Sequence, residues 1–243
     1  MKLTFSLTLL QSLKMSEGSH KRLTCASCEA RIANPFGYCT DSEVEGIDKD
    51  KSCNIYKKNQ AIFTEGSYPR GVFCINRGKA KIFARGDGGK EQIIHIAKEG
   101  EFIGFRAMLS EEPYRVSASA LEDCAICFIL KNDFVKLIDS NTEFRDTIIR
   151  DLSRELGDRA VFITSLAQKS VRERLAISLL VLNKIYAPDY INLTREDLAN
   201  FVGTATETLI RLLKEFKEES LVRNYGRKLE IIDLEGLERI AGK

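Results

Sequence analysis

Seven cysteines are the residues of this sequence with the most distinctive chemistry. Cys25 and Cys28 form a CxxC pair, Cys39 follows after ten intervening residues, and Cys124 and Cys127 form a second CxxC pair. Thiolates bind soft metals, and CxxC spacing suits a metal site. The odd number of cysteines, in a chain expected to be cytoplasmic, argues against a disulfide framework. These thiols are therefore candidate metal ligands.

The remaining two cysteines are less informative. Cys53 stands just before the first predicted strand, and Cys74 lies inside a strand and is interpreted as a buried strand residue. Cys124 is interpreted either as buried in the same way or as a surface thiol.

A second candidate site lies between Leu193 and Phe216, where two helix starts flank a glycine. Thr194 with Asp197, and Thr204 with Glu207, have the spacing of capping boxes, which satisfy unpaired N–H groups at a helix start. Gly203 lies between them, where a tight turn requires positive φ. This arrangement predicts a helix-turn-helix.

The second helix of this motif has two faces. Leu209, Leu212, Leu213 and Phe216 recur at helical spacing and are predicted to enter a core. The opposite face carries hydrogen-bonding groups, one apolar contact and cations, which suits base edges and phosphates in a major groove. A solvated surface face would look the same, but the paired caps around a glycine favour DNA.

Length and charge set limits on this interpretation. The 243 residues can form two modest domains, and 44% hydrophobic with 30% charged residues is an ordinary globular composition. The net charge is only +2, so DNA binding depends on placing Arg211, Lys214, Arg223, Arg227 and Lys228 on one side. Residues 1–22 are expected to be a disordered or spurious leader, with Met15 a possible later start. No apolar run can span a bilayer, so the chain is expected to be cytoplasmic, with no membrane partner.

Between residues 54 and 140, short β-rich runs are punctuated by glycines at the spacing of a barrel or sandwich. Asn141–Ala167 forms one long helical pattern with apolar residues at alternating spacings of three and four, typical of a dimer seam. The predicted seam comprises Ile149, Leu152, Leu156, Arg159, Ile163 and Leu166. Arg159 interrupts it, and a cation facing its symmetry mate would oppose tight packing.

The C-terminal part begins with an amphipathic helix over 168–187. After the helix-turn-helix, Leu221–Ile232 predicts a hairpin whose tip carries Arg227 and Lys228 against phosphates. The predicted domains are therefore 1–53 (leader and cysteine-bearing arm), 54–140 (sensor), 141–167 (dimerisation helix) and 168–243 (winged helix-turn-helix).

At the helix-turn-helix the chain resembles the CRP/FNR family of bacterial transcription regulators. The family signature, a glycine turn followed by a Glu-Thr pair and an Arg one turn later, matches Gly203, Glu207, Thr208 and Arg211, and the resemblance covers nearly everything after about Lys57. It implies an α+β fold with an N-terminal β-roll (a cyclic-nucleotide-binding-like jelly roll), a long dimerisation helix and a C-terminal winged helix-turn-helix. It also implies a homodimeric transcription regulator, of the activator type, that binds an inverted-repeat DNA site. RNA polymerase is then an implied partner. Predicted DNA contacts are Thr204, Thr206, Glu207, Thr208, Ile210, Arg211, Lys214, Arg227 and Lys228.

Within the resemblance, Glu207 accepts from a cytosine amino group and Arg211 donates to a guanine, while Thr206 and Ile210 vary the preference. Half-sites of a two-fold dimer lie about one DNA turn apart, roughly 34 Å.

The FNR branch senses oxygen through three cysteines near the N-terminus and one on the β-roll. The resemblance thus implies a [4Fe–4S] cluster on Cys25, Cys28, Cys39 and Cys127, with Cys53 as an alternative third ligand because the interval from Cys28 to Cys39 is long. Zinc on the same thiolates, or no metal, remains open.

Cyclic AMP is disfavoured as a ligand. The family's Gly-Glu-Leu and Arg-Ser or Arg-Thr elements become Gly104-Phe105-Arg106 and Arg115-Val116. The ribose carboxylate and the phosphate-capping hydroxyl are thus missing, and Arg115 is interpreted as a structural or surface residue. Another small ligand in the β-roll is the alternative sensor. An enzyme is not expected, because neither CxxC opens a helix in a βαβ unit and neither His20 nor His95 lies near a nucleophile.

Overall fold

A computed structural model describes residues 24–32 and 34–242. The predicted leader, residues 1–22, lies outside the described residues.

Two four-stranded antiparallel sheets form the sensor domain. The first has the strand order β1-β8-β3-β6 and the second β2-β7-β4-β5. The strands are β1 Ser52–Tyr56, β2 Ala61–Phe63, β3 Gly71–Arg77, β4 Ala80–Arg85, β5 Glu91–Ala97, β6 Phe102–Ile103, β7 Ser117–Ala120 and β8 Cys124–Leu130. Glycines with positive φ occupy the turns, such as Gly78 at 93° between β3 and β4. The predicted strand runs are confirmed, and β1, which contains Cys53, is one strand more than was predicted.

The arm before β1 is better ordered than its sequence suggested. Two 3-10 turns, Glu29–Arg31 and Pro35–Tyr38, precede helix α1, Asp41–Asp50. The arm has no core of its own, but Phe36, Val44 and Ile47 are buried in the core of the β-roll. Helix α1 was missed although Thr40 and Glu43 form a complete capping box at its start.

Helices follow the β-roll. Short α2, Phe105–Leu109, lies within it, and α3, Lys131–Ser140, leads into the long helix α4, Thr142–Gln168. The side chain of Asn141 caps α4 by accepting from the Phe144 N–H (2.9 Å). The predicted long helix is confirmed within one or two residues at each end.

The C-terminal domain packs four helices and a hairpin around one core. Its elements are α5 Val171–Tyr186, α6 Arg195–Val202, α7 Thr206–Glu218, β9 Val222–Tyr225, β10 Lys228–Ile231 and α8 Leu234–Ala241. The same apolar cluster includes Phe83, Ile93 and Ile96 of the β-roll, so the two domains share buried surface. The predicted α+β fold of β-roll, long helix and winged helix-turn-helix is confirmed.

Candidate nucleic-acid interface and thiol site

Helix α7 places its two faces as predicted. Leu209, Leu212, Leu213 and Phe216 are at most 5% exposed. On the opposite side Glu207, Ile210, Arg211 and Lys214 are exposed, while Thr206 and Thr208 are partly exposed. The Arg211 guanidinium donates to Glu215 at 2.9 Å along the helix. Such an exposed pair contributes little stability, so Arg211 is free to exchange this partner for a ligand.

The turn before α7 differs from the prediction. Gly203 adopts φ 76° and ends α6, and the Asp197 N–H donates to Thr194 Oγ1 (2.9 Å), as expected for its cap. The second predicted cap is wrong, because α7 begins after Ala205 with no side-chain cap. Thr204 is 8% exposed, and its N–H donates to the Ala199 carbonyl. As a predicted DNA contact, Thr204 therefore lies in the turn, below the exposed face.

The wing is an antiparallel hairpin in which Lys228 pairs with Tyr225 and Glu230 with Arg223. Its tip, including Arg227, is exposed, as are Arg223 and Lys228. The predicted hairpin with a basic tip is confirmed, and its cations are available to phosphates.

Contacts between the helix-turn-helix and the β-roll were not predicted. The Lys81 ammonium lies 2.6 Å from Glu91 and 2.8 Å from Asp197 of α6, and all three side chains are mostly buried. Lys90 Nζ donates to the Thr204 carbonyl (3.0 Å), and Gln92 Nε2 donates to the Asn200 carbonyl (2.6 Å). The β4–β5 hairpin thus holds α6 and the turn by charge-assisted and neutral hydrogen bonds.

The predicted dimer seam on α4 divides into two lines. Ile149, Leu156 and Ile163, spaced by seven, are 53%, 73% and 64% exposed. Leu152 is partly buried and packs on the β-roll core, and Leu166 would contact a Cβ placed on Gly203. The line of Ile149, Leu156 and Ile163 therefore faces outward, whereas Leu152 and Leu166 pack against other parts of the same chain.

Arg159 differs from its prediction. Its guanidinium donates to the Ile94 carbonyl of β5 and to Glu155. The side chain is 21% exposed, so it is engaged within its own chain rather than directed at a symmetry mate. One acceptor lies on strand β5 and the other on α4 itself, while Nε is buried and has no hydrogen-bond partner in the structure. Helix periodicity alone could not reveal the contact with β5.

Three cysteines form a row across the first sheet. Cys127 on β8 is the cross-strand neighbour of Cys53 on β1 and of Cys74 on β3. Directly opposite residues point to the same face of a sheet. Cys53 and Cys127 are joined by a disulfide, which corrects the expectation that disulfides are absent.

A small cavity of about 20 Å³ lies beside this row, where the arm covers the sheet. Four cysteines line it together with Lys51: the free thiols Cys25, Cys28 and Cys74, and the disulfide-bonded Cys127. Lys51 Nζ donates to Cys25 Sγ (2.9 Å) and Asn76 Nδ2 donates to Cys28 Sγ (3.0 Å). Burial raises the pKa of Cys25 to about 11, so its thiol is protonated in this form.

The other cysteines lie elsewhere. Cys39 is buried in the arm, with its sulfur 4.0 Å from the Pro35 carbonyl, and burial raises its pKa to about 12. Cys124 is buried, and its thiol donates to the Lys79 carbonyl (3.1 Å). Of its two interpretations, the buried strand residue is therefore correct and the surface thiol is not. The predicted metal ligands Cys25, Cys28 and Cys127 are thus brought together, and Cys39 is not on the cavity wall. Among the described residues, no group of three or more His, Cys, Asp or Glu side chains is already arranged to hold a metal ion.

The interior of the β-roll is occupied by aromatic rings. Phe63 stacks on Tyr114 with centroids 4.1 Å apart, and a Cβ at Gly104 would lie 3.1 Å from the Tyr114 hydroxyl. Arg115 is exposed and pairs with Glu112 (3.1 Å), in agreement with its structural interpretation.

The chain combines a β-roll, a long helix and a winged helix-turn-helix with an exposed recognition face. This combination defines a class of DNA-binding regulators in which the sensor and the DNA-binding domain belong to the same chain. Comparison with known proteins agrees. A model of the cyclic nucleotide-binding domain matches residues 54–141, and a model of the Crp-like helix-turn-helix domain matches 173–240.

Relatives match over most of the chain. Transcriptional activator protein anr of Pseudomonas aeruginosa is 30% identical, covering 90% of this chain and 92% of that protein. Transcriptional activator protein FnrA of Stutzerimonas stutzeri is 29% identical, covering 84% and 93%. A solved regulator of the crp/fnr family from Eubacterium rectale shares the fold with a TM-score of 0.69 at 18% identity, covering 86% of this chain and 97% of that one.

The chain belongs to the CRP/FNR family of transcription regulators. It is a DNA-binding regulator of transcription and not an enzyme. Within the part that the structure describes, no helix has both the length and the apolar character needed to cross a membrane.

Proposed function

We propose that the chain acts as a homodimer that reads an inverted-repeat DNA site and whose DNA binding is controlled by a metal-bound thiol site under its arm. The observation that carries the DNA-reading part is the outward face of α7, where Glu207, Ile210 and Arg211 are exposed above a buried apolar side. A carboxylate accepts from a cytosine amino group and a guanidinium donates to guanine in the major groove. The wing cations Arg227 and Lys228 add affinity without sequence information.

The dimer part is supported by α4. Three large apolar side chains at heptad spacing are more than half exposed, and such a line is stabilised when it packs against its symmetry mate. Two recognition helices about one DNA turn apart, roughly 34 Å, can then enter successive major grooves. We propose that the DNA-bound dimer contacts RNA polymerase.

The thiol site supplies the sensor. After reduction of the Cys53–Cys127 disulfide, the donor set fits a [4Fe–4S] cluster or a zinc ion, because four cysteines line one cavity and N–H donors point at the sulfurs of Cys25 and Cys28. Of the two we favour the cluster, since an oxidation-sensitive group bound there reports oxygen. In the disulfide form the cavity has room for about one water molecule, so the arm must move outward to admit a cluster.

The arm is coupled to the dimer helix. Phe36 stacks on Phe144 of α4, and Asn141 Nδ2 donates both to the Tyr38 carbonyl (3.2 Å) and to Glu43. Displacement of the arm therefore alters the packing of the first turn of α4. The aromatic filling of the β-roll favours this thiol site over a small ligand bound in the β-roll pocket.

The test is anaerobic purification with a thiol reductant, followed by iron, sulfide and zinc analysis and an absorption spectrum. Iron with equal sulfide, and an inverted-repeat DNA affinity that falls after exposure to air, supports the proposal. Zinc without iron would show that the thiols form a structural zinc site and would contradict the redox sensor. Binding to DNA as a monomer would refute the dimer.

A further inference from the structure

We propose that Cys74, and not Cys39, completes the thiol site together with Cys25, Cys28 and Cys127. This inference rests on the proposed function, since it names the residues that hold the metal there.

The position of Cys74 carries the first step. It pairs directly with Cys127 across β3 and β8, so the two sulfurs lie on the same face of the sheet. Both line the cavity together with Cys25 and Cys28. Four cysteines from the arm and two strands thus surround one space, and four thiolates are the number that zinc and iron–sulfur sites use once Cys127 is reduced.

Cys39 lies in the same buried cluster as Cys25 but does not line this space. Two 3-10 turns, Glu29–Arg31 and Pro35–Tyr38, occupy most of the segment between Cys28 and Cys39. Arg31 then fixes the backbone at Cys39, because its Nη2 donates to the Cys39 carbonyl (2.7 Å) while Nη1 bridges to Asp41 (2.8 Å). To reach the cavity, Cys39 would have to break this anchorage.

The hydrogen bonds at the sulfurs are a second difference between Cys74 and Cys39. Cys25, Cys28 and Cys74 each face an N–H donor, from Lys51, Asn76 and Asn34 respectively, the last at 3.7 Å. N–H donors to sulfur stabilise thiolates and are the outer shell of thiolate metal sites. Cys39 instead points its sulfur at a carbonyl oxygen, which can only accept from a protonated thiol.

Cys127 must be a thiol before it can bind a metal. In the structure it is bonded to Cys53. One molecule of dithiothreitol breaks that bond by two successive thiol–disulfide exchanges, giving two protein thiols and the cyclic disulfide of the reductant. Cys53, on β1, is not among the residues that line the cavity, so it is not needed as a ligand.

The experiment compares Cys74→Ser with Cys39→Ser in the full chain, purified anaerobically with dithiothreitol. Cys124→Ser is the matched control, since Cys124 is also a buried β-roll thiol but lies away from the cavity. Iron and sulfide per chain are measured first. The metal-free proteins are then titrated with Co²⁺, whose thiolate charge-transfer absorption reports the number of bound sulfurs.

We expect Cys74→Ser to lose the cluster and to bind Co²⁺ at least about 100-fold more weakly, since outer-shell changes alone cost about 10- to 100-fold. Cys39→Ser and Cys124→Ser should match the parent. The reverse pattern, or equal metal loss in Cys74→Ser and Cys39→Ser, overturns the assignment of Cys74. A parent protein that binds neither iron nor Co²⁺ refutes the proposed sensor itself, and with it this inference.

Folding defects are separated from ligand loss in two ways. Thermal unfolding of the metal-free Cys74→Ser protein should resemble that of Cys124→Ser. Cadmium NMR of the unmutated protein needs no variant, and a cross-peak from cadmium to the Cys74 β-protons supports the inference, while one to the Cys39 β-protons overturns it.

Discussion

The rings of Phe36 and Phe144 stack with centroids 5.7 Å apart and planes inclined by 13°. Phe36 belongs to the arm that carries the cysteines, and Phe144 to the first turn of the helix with the exposed apolar line. Both rings are at most 2% exposed. Under the proposed function, this contact is where a change at the thiols would reach α4, which carries the proposed dimer seam.

Replacing Phe36 should loosen that connection. Phe36→Ala removes a buried ring and is expected to lower the free energy of unfolding by about 3–5 kcal/mol. Amide exchange in residues 142–148 should increase as well. Tyr38→Ala, in the same turn but with a 53% exposed side chain, should cost no more than about 0.5 kcal/mol. Equal effects in urea unfolding of the two variants would contradict the role of Phe36.

The exposed line on α4 gives a second prediction. Leu156→Glu places a charge in the middle of the proposed seam and should convert the dimer to a monomer in sedimentation, because the carboxylate must be desolvated there. Val161→Glu is the control, since Val161 is 69% exposed on a different face of the same helix. If both variants stay dimeric, the seam lies elsewhere.

The recognition helix gives a third. Arg211→Ala should relax specificity at one base position, at a cost of about 1–3 kcal/mol on the preferred site. Lys228→Ala should weaken binding to all sequences alike and lower the salt dependence. Both are measured by titrating a set of single-base site variants at several salt concentrations. A uniform loss for Arg211→Ala would remove its assignment as a base contact.

The link between the two domains gives a fourth. Lys81→Met leaves the carboxylates of Glu91 and Asp197, 19% and 11% exposed, without their ammonium partner. We expect a loss of about 3 kcal/mol in unfolding free energy. In the matched exposed pair, Lys57 with Asp123 at 2.7 Å, Lys57→Met should cause a much smaller loss of unfolding free energy, because solvent screens an exposed ion pair. Similar losses in the two variants would show that the Lys81 bridge does not hold the domains together.

Local patterns in the sequence predicted local structure well. The cap at Thr194, the positive φ of Gly203 and the buried face of α7 each depend on neighbouring residues, and each is confirmed. The same kind of signal, Thr40 with Glu43, stands before α1, but few apolar residues follow it, so hydrophobic periodicity does not indicate a helix there. The cap assigned to Thr204 was wrong because the turn draws its backbone back to Ala199.

Long-range arrangement could not be predicted in this way. Cys74 and Cys127 are 53 residues apart in sequence, and their adjacency follows from the strand order β1-β8-β3. A single sequence does not state which strands pair. The same holds for Arg159, whose acceptor on β5 is determined by how α4 packs against the sheet.

The row of Cys53, Cys127 and Cys74 also affects any handling of the protein. With the middle sulfur tied to β1, five of the seven cysteines carry a free thiol. A denatured sample kept from reductant should therefore react with five equivalents of a thiol dye, and a reduced one with seven. Under the proposed function, a folded stock stored in air would not bind the metal until it is reduced, and after denaturation without reductant it would react with five equivalents.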